Sequence, residues 1–560
     1  MQLFVWIADL LYDALIGLRN LVSLLGPRTA YVLLELSGPY PEHRTRAPWW
    51  VRQPQPTSLD DVRQQLRAIR ADRRVIGVVV TVRDLAAGLA AIQGLRAALA
   101  AYRADGGRVV VYLTQASMRA YYLASVGHTV AMPESGTLDL VGLTLEATFL
   151  GEALQRIGIA GEFERIAEYK TAVEPFTRRA MSEPMREALN AVLDSVFDDV
   201  IGEVASARSI DPAALRALVD RAPLSAREAR DAGLVDAILF EDELAHHLAA
   251  SSRRPPAILP WRVARRYLRR SFRWRTRRRA IAVVTVRGLI HIGESRLPRT
   301  LPLPLVGGET AGSSTVARAV RAVEGSARFG AIILNVDSPG GSAIASDLIW
   351  REITRAGKQK PVVAFLGNVA ASGGYYVAAG AQRIISQPAT LTGSIGVISG
   401  KFTIRQLADR AGIHREILGR GEASTIFSPL IPFSTEDRRR LRAQITEVYD
   451  RFVDRVAAGR RMAREEVLAV ARGRVWTGRQ AQQRGLVDAL GDFSAAVGAA
   501  KELMGIPPSQ NVPVIPIRPP RDAPVGRSSV LKEISEAVDR ITSLLEERVF
   551  TVMPWDLRLG

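Results

Sequence analysis

The sequence contains no cysteine among its 560 residues, and histidine is scarce at six. Disulfide bonds and thiolate metal sites are therefore excluded, while the redox compartment stays open because a cysteine-free chain suits either side of a membrane. The histidines fall in no H-E-x-x-H or similar spacing. We accordingly expect neither a metal nor another cofactor.

Lysine is also rare, because arginine supplies all but six of the 75 lysine and arginine residues. Arginine stays protonated and cannot act as a base, whereas burial can neutralise a lysine. A lysine that serves as a general base must therefore be one of Lys170, Lys358, Lys360, Lys401, Lys501 and Lys532.

The chain begins without a long uncharged run. Asp9, Asp13 and Arg19 interrupt the apolar residues 3–25, so no stretch of about 20 uncharged residues exists there to span a membrane. The polar residues fall on one narrow stripe of a helical wheel, which is typical of a helix lying in the bilayer interface. We predict an amphipathic membrane-associating helix at 1–27, with an ordinary docking helix as the alternative.

The positive charge of +18 is densest at residues 253–279, where arginines alternate with aromatic residues. Such a segment can bind nucleic acid phosphates or lie on an anionic lipid surface. We favour the lipid bilayer and predict no nucleic acid partner, because the rest of the chain carries no nucleic-acid motif. A solvated linker helix is the third interpretation. The aromatic residues concerned are Trp261, Tyr267, Phe272 and Trp274.

The chain contains an internal repeat. Tyr121-Tyr122 matches Tyr375-Tyr376 at an offset of 254, and the S-A-R-E-A-R-D-A-G-L-V-D-A run matches T-G-R-Q-A-Q-Q-R-G-L-V-D-A at an offset of 252. In both halves, short runs rich in β-branched residues alternate with helical patterns, which indicates βαβ units and a buried, mainly parallel sheet. The fold class predicted is therefore α/β, as two tandem domains with mainly parallel sheets.

The predicted division of the chain follows from this repeat and from the composition of the connecting segments. It comprises the helix at 1–27, a first α/β repeat at 28–250, a basic aromatic linker at 251–279, a second α/β repeat at 280–505, and a proline-rich segment with a tail helix at 506–560. The tail helix is placed at about 529–547, and no function is assigned to it.

Three glycine-containing motifs of the second half point to chemistry. A buried strand ends in D-S-P-G-G, where Gly340 and Gly341 allow backbone N–H groups to face a developing oxyanion. Ser372 sits at a strand-to-helix turn before Gly373, in the manner of a nucleophile elbow, although G-x-S-x-G is absent. Ser394 occupies a further glycine turn. Taken alone, each of these residues is more often a helix cap or a turn residue. The carboxyl ends of the strands in one parallel sheet meet at one edge, however, so we expect the three motifs to lie together.

The two repeats differ where this chemistry would lie. Ser372-Gly373-Gly374 corresponds to Met118-Arg119-Ala120, while the segment around Lys170 has a counterpart without lysine. A duplicated enzyme with one composite site would show such complementary losses. A duplicated scaffold that drifted freely would show them only by coincidence.

These residues resemble the signal peptide peptidase A family, also called protease IV, in its long duplicated bacterial form. The matching segments are D-S-P-G-G, N-V-A-A-S-G-G-Y-Y, L-T-G-S-I-G and E-Y-K-T-A-V-E-P-F, within a likeness that covers about residues 28–505. The resemblance implies Ser372 as nucleophile, Lys170 as general base and Ser394 as the hydroxyl that orients the amine. It also implies oxyanion donors at Gly373, Gly340 and Gly341.

The resemblance further implies a crotonase and caseinolytic protease (ClpP-like) fold, a tetramer on the bacterial inner membrane, and hydrophobic peptide substrates such as cleaved signal peptides. The side of the membrane and the way the chain attaches to it stay open. So does the question whether the lysine and the serine meet within one chain or between two chains.

The chemistry sets its own condition, because a lysine base must be uncharged. The pKa of a free lysine is about 10.4, so it has to fall by roughly 3.4 for half of the amines to be uncharged at pH 7. Full burial alone can nearly supply a shift of this size. The site must therefore be dry, with Glu168 and Glu174 directed away from Lys170. Lys401 is the rival base, because it follows Ser394 by seven residues. A crotonase-type acyl-CoA enzyme and a catalytically inactive membrane scaffold are the alternative functions.

Overall fold

The computed structural model describes residues 14, 16–18, 20, 21, 30–44, 56–249, 255–269, 279–295, 309–517 and 550–552. Most of the helix predicted at 1–27 and all of the tail helix predicted at 529–547 lie outside these residues. Among the helices in the described parts of the chain, none has both the length and the apolar character that crossing a membrane requires.

The strands are numbered in chain order. They are β1 Tyr31–Leu36, β2 Gly77–Val82, β3 Arg108–Tyr112, β4 Gln115–Ser117, β5 Thr129–Met132, β6 Thr137–Asp139, β7 Ala160–Arg165, β8 Leu224–Ser225, β9 Ala237–Ile238, β10 Ile258–Pro260, β11 Ala280–Arg287, β12 Leu289–His291, β13 Thr310–Gly312, β14 Phe329–Ser338, β15 Gly340–Ser342, β16 Val362–Ala371, β17 Arg383–Ser386, β18 Leu391–Gly393, β19 Ile398–Thr403, β20 Val475–Thr477, β21 Ala489–Leu490, β22 Val514–Pro516 and β23 Phe550–Val552.

The helices are numbered in the same way. They are α1 Leu59–Arg70, α2 Leu89–Ala104, α3 Met118–Ala124, α4 Gly151–Arg156, α5 Glu174–Thr177, α6 Glu183–Arg208, α7 Pro212–Asp220, α8 Ala226–Asp231, α9 Leu244–His247, α10 Trp261–Tyr267, α11 Ser313–Glu324, α12 Ala343–Gly357, α13 Gly373–Ala378, α14 Arg405–Arg410, α15 Thr435–Arg460, α16 Arg464–Val470, α17 Gly478–Gln483 and α18 Phe493–Leu503.

The chain divides into two compact units. The first contains described residues of 1–145 and 196–277, and the second those of 146–195 and 278–557. Residues 146–195, which the repeat boundary groups with the first half, therefore pack within the second unit. Lys170 and Ser372 belong to the same unit as a result.

The first unit is built on a sheet with the strand order β10-β1-β2-β3-β5-β9, in which every neighbouring pair is parallel. Strand β2 is buried at all six positions of G-V-V-V-T-V. Helices cover both faces of a parallel sheet, so its central strands become continuous apolar runs. A small sheet, β4-β6-β8, completes the unit.

The second unit repeats this plan in the order β20-β18-β16-β14-β11-β22, and off this path β17 pairs with β16 and β21 pairs with β17. Its pairs are parallel except for β18 with β20. The predicted α/β class with mainly parallel sheets is thereby confirmed. The apolar faces of β11, β14 and β16 form the core together with α11, α12 and α15.

A second sheet of this unit has the order β13-β12-β15-β23-β19-β7. Strand β7 joins it from the front part of the chain and pairs antiparallel with β19 over six residue pairs. This pairing brings the segment that follows β7, including Lys170, to the second unit. The strand contributes backbone hydrogen bonds rather than a buried core, since all six of its residues are only partly buried.

The duplication is visible in matching hydrogen bonds. The Tyr121 hydroxyl donates to the Leu234 carbonyl oxygen at 2.7 Å, and the Tyr375 hydroxyl donates to that of Leu486 at 2.8 Å. In each unit an arginine also donates hydrogen bonds to the aspartate of this motif and to its glycine carbonyl oxygen. The paired members are Arg208 with Asp236 and Gly233, and Arg460 with Asp488 and Gly485.

The repeated R-x-A-x-x-x-G-L-V-D-A runs also begin their helices alike. Ser225 precedes α8 and Thr477 precedes α17, and in each case the hydroxyl accepts from the backbone N–H three residues later in a capping box. This cap satisfies N–H groups that have no partner within the first turn. The sequence match at an offset of 252 therefore has a local physical cause.

We expect Tyr375→Phe to lower the free energy of unfolding by about 1–3 kcal/mol, because it leaves the buried Leu486 carbonyl without its donor. The midpoint of urea unfolding measures the change. Tyr169→Phe is the matched control, since its hydroxyl donates to Glu187 in an exposed position and should matter less. Equal midpoints for Tyr375→Phe and the unchanged protein would contradict the assignment.

Candidate active site

The three motifs lie at neighbouring strand ends. Ser338 at the end of β14 pairs with Ala370 of β16, and Ala371 pairs with Gly393 of β18. Ser372 directly follows the last residue of β16, and Ser394 directly follows the last residue of β18. Parallel strands thus place the D-S-P-G-G, A-S-G-G and T-G-S-I-G motifs side by side at one edge of the sheet.

Lys170 reaches this edge from the segment after β7. Its amine Nζ lies 2.6 Å from Ser372 Oγ, 3.0 Å from Ser394 Oγ and 2.9 Å from the Ser394 carbonyl oxygen. The whole lysine side chain is buried, with 1% of its surface exposed. The amine is therefore held by three oxygen atoms in a site closed to water.

Burial lowers the pKa of the Lys170 amine from its ordinary value of 10.5 to about 7. The cause is desolvation, which penalises the charged form. The flanking carboxylates are directed to other partners, because Glu168 pairs with Arg472 and Glu174 accepts from Arg165 at 2.9 Å. The condition of a dry lysine without a contacting carboxylate is met at this position.

Ser372 has an unusual backbone conformation, with φ 55° and ψ −114°. A side chain in this region is strained, and such strain persists only where the surroundings impose it. Here the Ser372 N–H donates to the Gly393 carbonyl oxygen at 2.7 Å, while its own carbonyl accepts from Tyr376 N–H at 2.8 Å. The turn between β16 and α13 is thus fixed on both sides, which holds the hydroxyl toward Lys170.

Small residues are required around this turn. A Cβ atom on Gly374 would lie 2.6 Å from the Ser338 carbonyl oxygen, so helix α13 packs directly against the end of β14. The equivalent turn of the first unit is relaxed. There Met118 takes the place of Ser372, and Ser117 caps helix α3 in an ordinary extended conformation with φ −68°.

Ser394 is also in a left-handed conformation, with φ 51°. Its N–H donates to the Arg474 carbonyl oxygen at 2.7 Å, which fixes the turn. The residue touches the Lys170 amine through both its hydroxyl and its carbonyl oxygen. It can therefore orient the amine and accept N–H hydrogens when the amine takes up a proton.

The glycines differ in their readiness to donate to an oxyanion. Gly373 begins α13, and N–H groups in the first turn of a helix lack partners within the helix. The N–H of Gly340 donates to Ser338 Oγ at 3.1 Å and is engaged in this structure. Gly341 lies in β15 opposite Ile290 of β12, where a Cβ atom would be 2.0 Å from the Ile290 carbonyl oxygen.

The loop at 471–474 contacts the lysine and was missed by the sequence analysis. Gly473 has φ +78°, and a Cβ atom there would lie 2.5 Å from the Lys170 backbone nitrogen. The Arg472 carbonyl oxygen accepts from Tyr169 N–H at 3.1 Å. A Cβ atom on Gly396 would lie 3.0 Å from Lys170 Cδ. The available signal was the A-R-G-R turn just before the repeated T-G-R-Q run.

Lys401, the rival base, lies elsewhere. Its amine donates to the Ile426 carbonyl oxygen at 2.8 Å and sits 4.2 Å from the centre of the Phe433 ring. Burial lowers the pKa of Lys401 as well, but these contacts direct it away from Ser372. Of the two candidates, Lys170 is the lysine within hydrogen-bond distance of the serine hydroxyl.

Chemically, a neutral amine beside a strained, buried hydroxyl can remove its proton while the oxygen attacks a carbonyl carbon. The contacts with Ser394 stabilise the ammonium that results. In the described parts of the chain, no group of three or more histidine, aspartate and glutamate residues is arranged to hold a metal ion. The neutral amine beside the serine hydroxyl suits acyl transfer through that serine.

The chain is similar in sequence to known proteins. The model of peptidase family S49 matches twice, at residues 101–253 and 354–507. The chloroplastic serine protease SPPA of Arabidopsis thaliana is 29% identical over 500 residues, covering 88% of this chain and 73% of its own. Protease 4 of Salmonella typhi is 30% identical over 462 residues, covering 80% and 72%. A putative signal peptide peptidase SppA of Enterococcus faecium is 36% identical over 172 residues, covering 30% and 50%.

Among solved structures, a mutant ClpP1 of Listeria monocytogenes matches 38% of this chain and 94% of its own at 16% identity. Its TM-score of 0.25 is too low to support an inference. The family assignment rests instead on the double match to one family model and on the similarity to Protease 4 over most of both chains. The chain belongs to peptidase family S49 and is a serine peptidase in which the family region occurs twice.

Proposed function

We propose that Ser372 is the nucleophile and Lys170 the general base of an endopeptidase that degrades hydrophobic peptides, such as cleaved signal peptides, at a membrane. One observation carries the proposal. The Lys170 amine is 2.6 Å from Ser372 Oγ, within a buried site that lowers the pKa of the amine to about 7. Half of the molecules then hold a neutral amine near neutral pH.

The first half of the reaction forms an acyl-enzyme. Lys170 Nζ takes the Ser372 hydroxyl proton while Oγ bonds to the substrate carbonyl carbon, and the carbonyl oxygen becomes an oxyanion near the Gly373 N–H. The ammonium then gives its proton to the leaving amine as the peptide bond breaks. Ser394 accepts N–H hydrogens of the ammonium throughout, which lowers the free energy of the charged intermediate.

The second half returns the enzyme to its starting state. Lys170 takes a proton from a water molecule, whose oxygen attacks the ester carbonyl. The C–O bond to Ser372 breaks, and the proton passes from the ammonium back to Oγ. The same amine therefore serves first as base and then as acid in each half, which a group with a pKa near the working pH does best.

The substrate class rests on the name of the Enterococcus faecium relative and on the sequence resemblance. Signal peptides are apolar, so they favour an enzyme near a lipid surface. In the described part of the basic linker, Arg262, Arg265 and Arg266 lie on the short helix α10 with Trp261. Cationic and aromatic side chains together favour an anionic bilayer surface, which agrees with the proposed inner-membrane location.

A homo-oligomer, with a tetramer as the expected state, belongs to the same proposal. Ile413, Ile417 and Leu418 are exposed apolar residues of the second unit, and Leu418 is 94% exposed. Such side chains close together in sequence are typical of surfaces that meet a partner. The acyl-CoA alternative does not agree with membership of a peptidase family, and an inactive scaffold is tested by labelling.

We expect Ser372→Ala and Lys170→Arg each to lower kcat for peptide hydrolysis by on the order of 10⁴-fold or more, because arginine cannot act as a base. A fluorophosphonate probe followed by mass spectrometry should label Ser372 in the unchanged protein. Ser346→Ala is the matched control, since this buried serine donates to a helix carbonyl instead. Labelling at a different serine, or none at all in active protein, would refute the assignment.

The rate should rise with pH through about 7. Burial lowers the pKa of the Lys170 amine to about 7. Below that pH the amine is protonated and cannot act as a base, so kcat/KM falls, and above it kcat/KM reaches a plateau. A pH–rate profile with a small peptide ester measures the midpoint. A midpoint near 10, the ordinary range of lysine, would show that the amine is exposed to water in solution.

We expect Gly473→Ala to lower kcat by about 10²-fold, because the added Cβ displaces the Lys170 backbone and misaligns its amine. Gly412→Ala is the matched control. Gly412 has a similar φ of +69° but no neighbour within 4 Å, so it tests the backbone strain alone. Equal kcat values for the two variants would show that loop 471–474 does not position the base.

A further inference from the structure

The side chain of Arg474 contacts two residues of the part of the chain that carries the base. Its Nη1 donates to Glu187 Oε1 at 2.6 Å, and its guanidinium carbon lies 4.9 Å from the centre of the Tyr169 ring. Glu187 belongs to α6, and Tyr169 directly precedes Lys170. These residues all belong to the second unit. A cation within about 6 Å of an aromatic ring is attracted to its face, so Arg474 holds Tyr169 as well as Glu187.

The side chains of Tyr169, Glu187 and Arg474 form a closed set of contacts, which we call the Arg474 triangle. The Tyr169 hydroxyl donates to Glu187 Oε2 at 2.7 Å, while the other oxygen of this carboxylate accepts from Arg474. The hydrogen bonds from Tyr169 and Arg474 lower the pKa of Glu187, so its carboxylate stays charged at neutral pH. Each member of the triangle therefore contacts both of the others.

The main chain of the same arginine holds the other partner of the base. The Arg474 carbonyl oxygen accepts from Ser394 N–H at 2.7 Å, and Gly473 N–H donates to the Ile395 carbonyl oxygen at 2.8 Å. Ser394 in turn contacts the Lys170 amine through its hydroxyl and its carbonyl oxygen. Arg474 is thus attached to Ser394 through its backbone and to the segment that contains Lys170 through its side chain.

The segment that contains Lys170 is held weakly by its own backbone. Residues 166–173 form neither helix nor strand. Lys170 N–H donates to the Ala167 carbonyl oxygen, and the Lys170 carbonyl oxygen accepts from Arg165, but both distances are 3.4 Å, longer than the usual range. A catalytic group displaced by about 1 Å can lose on the order of 10²-fold in rate. The position of the amine therefore depends on the contacts of its neighbours, among them Tyr169.

Stability alone does not account for Arg474. Within the described parts of the chain, its buried Nε has no hydrogen-bond partner, which costs stability. Its guanidinium carbon also lies 4.6 Å from the centre of the Trp476 ring, but Arg484 packs on that ring more closely, at 3.8 Å. Trp476 therefore keeps a cationic neighbour without Arg474, and the contacts that depend on Arg474 are those with Tyr169 and Glu187.

We propose that Arg474 is a positioning residue for the reaction, which fixes the main chain of Lys170 relative to Ser394 and so holds the amine in place. This inference rests on the proposed function. Arg474 acts through the Arg474 triangle rather than on the reacting atoms. Its loss should therefore slow the chemical step and leave the binding of the peptide nearly unchanged.

Arg474→Met tests this proposal in the full-length chain, because methionine keeps an apolar stem and lacks the guanidinium. We expect kcat for a fluorogenic apolar peptide to fall about tenfold, at a KM within about twofold of that of the unchanged protein. The rate at which a fluorophosphonate labels Ser372 should fall by a similar factor, since labelling needs the base but not the peptide. Arg474→Lys keeps the charge and should recover part of both losses. Arg484→Met is the matched control and should leave kcat unchanged.

Glu187→Gln provides a second variant that keeps the test decisive if Arg474→Met lowers the midpoint of urea unfolding, because the Glu187 side chain is 49% exposed. It should lower kcat by about threefold and add little to Arg474→Met in the double variant, since both act through the same contacts. Unchanged kcat in Glu187→Gln, or equal kcat in Arg474→Met and Arg484→Met, would overturn the inference. A raised KM at an unchanged labelling rate would also overturn it, because Arg474 would then bind substrate. Labelling of Ser372 in the unchanged protein reports separately on the proposed function, so the two failures are distinct.

Discussion

The exclusion of water from one lysine amine is the constraint on which the site depends. A charged ammonium at this depth would lose its hydration, so the neutral form is favoured and the pKa falls to about 7. The surrounding structure maintains this by closing glycine backbone around the lysine stem at Gly396 and Gly473. It also directs both neighbouring carboxylates to arginine partners. A hydrated amine would keep its ordinary pKa and stay protonated beside the Ser372 hydroxyl.

The two units differ in conformation at the turn that contains Ser372 in the second unit. Both units keep the tyrosine and arginine hydrogen bonds that fasten helix to sheet, because the fold needs them. The strained turn is different, since the φ of 55° at Ser372 costs conformational energy. In the first unit the corresponding turn has relaxed around Met118, and the packing was free to settle into an unstrained helix start. The strained conformation is thus found at the turn whose hydroxyl contacts Lys170, and the equivalent turn of the first unit lacks it.

Much of the fold and of the candidate site could be predicted from the sequence. Runs of buried valine and isoleucine predicted parallel strands, as in β2 and β14, and the repeated tyrosine pair predicted two units. The expectation that strand ends meet at one edge of the sheet placed the D-S-P-G-G turn, Ser372 and Ser394 side by side, as the strand pairing shows. The antiparallel pairing of β7 with β19, and the place of β23, were not predictable because main-chain pairing between distant segments leaves no local pattern. The engagement of the Gly340 N–H by Ser338 depends on a rotamer, which no spacing records.

The pairing of β7 with β19 has a consequence for how the enzyme comes into being. The Lys170 amine and the Ser372 hydroxyl belong to residues 202 positions apart, and the loop that packs on Lys170 follows about 100 residues later. During synthesis, which proceeds from the N-terminus, the amine therefore emerges long before anything can hold or dry it. A nascent chain that ends before residue 473 lacks the contacts that bury this amine, and the complete set forms only in the assembled second unit. The order of the segments along the polypeptide thus delays burial of the amine until the second unit has folded.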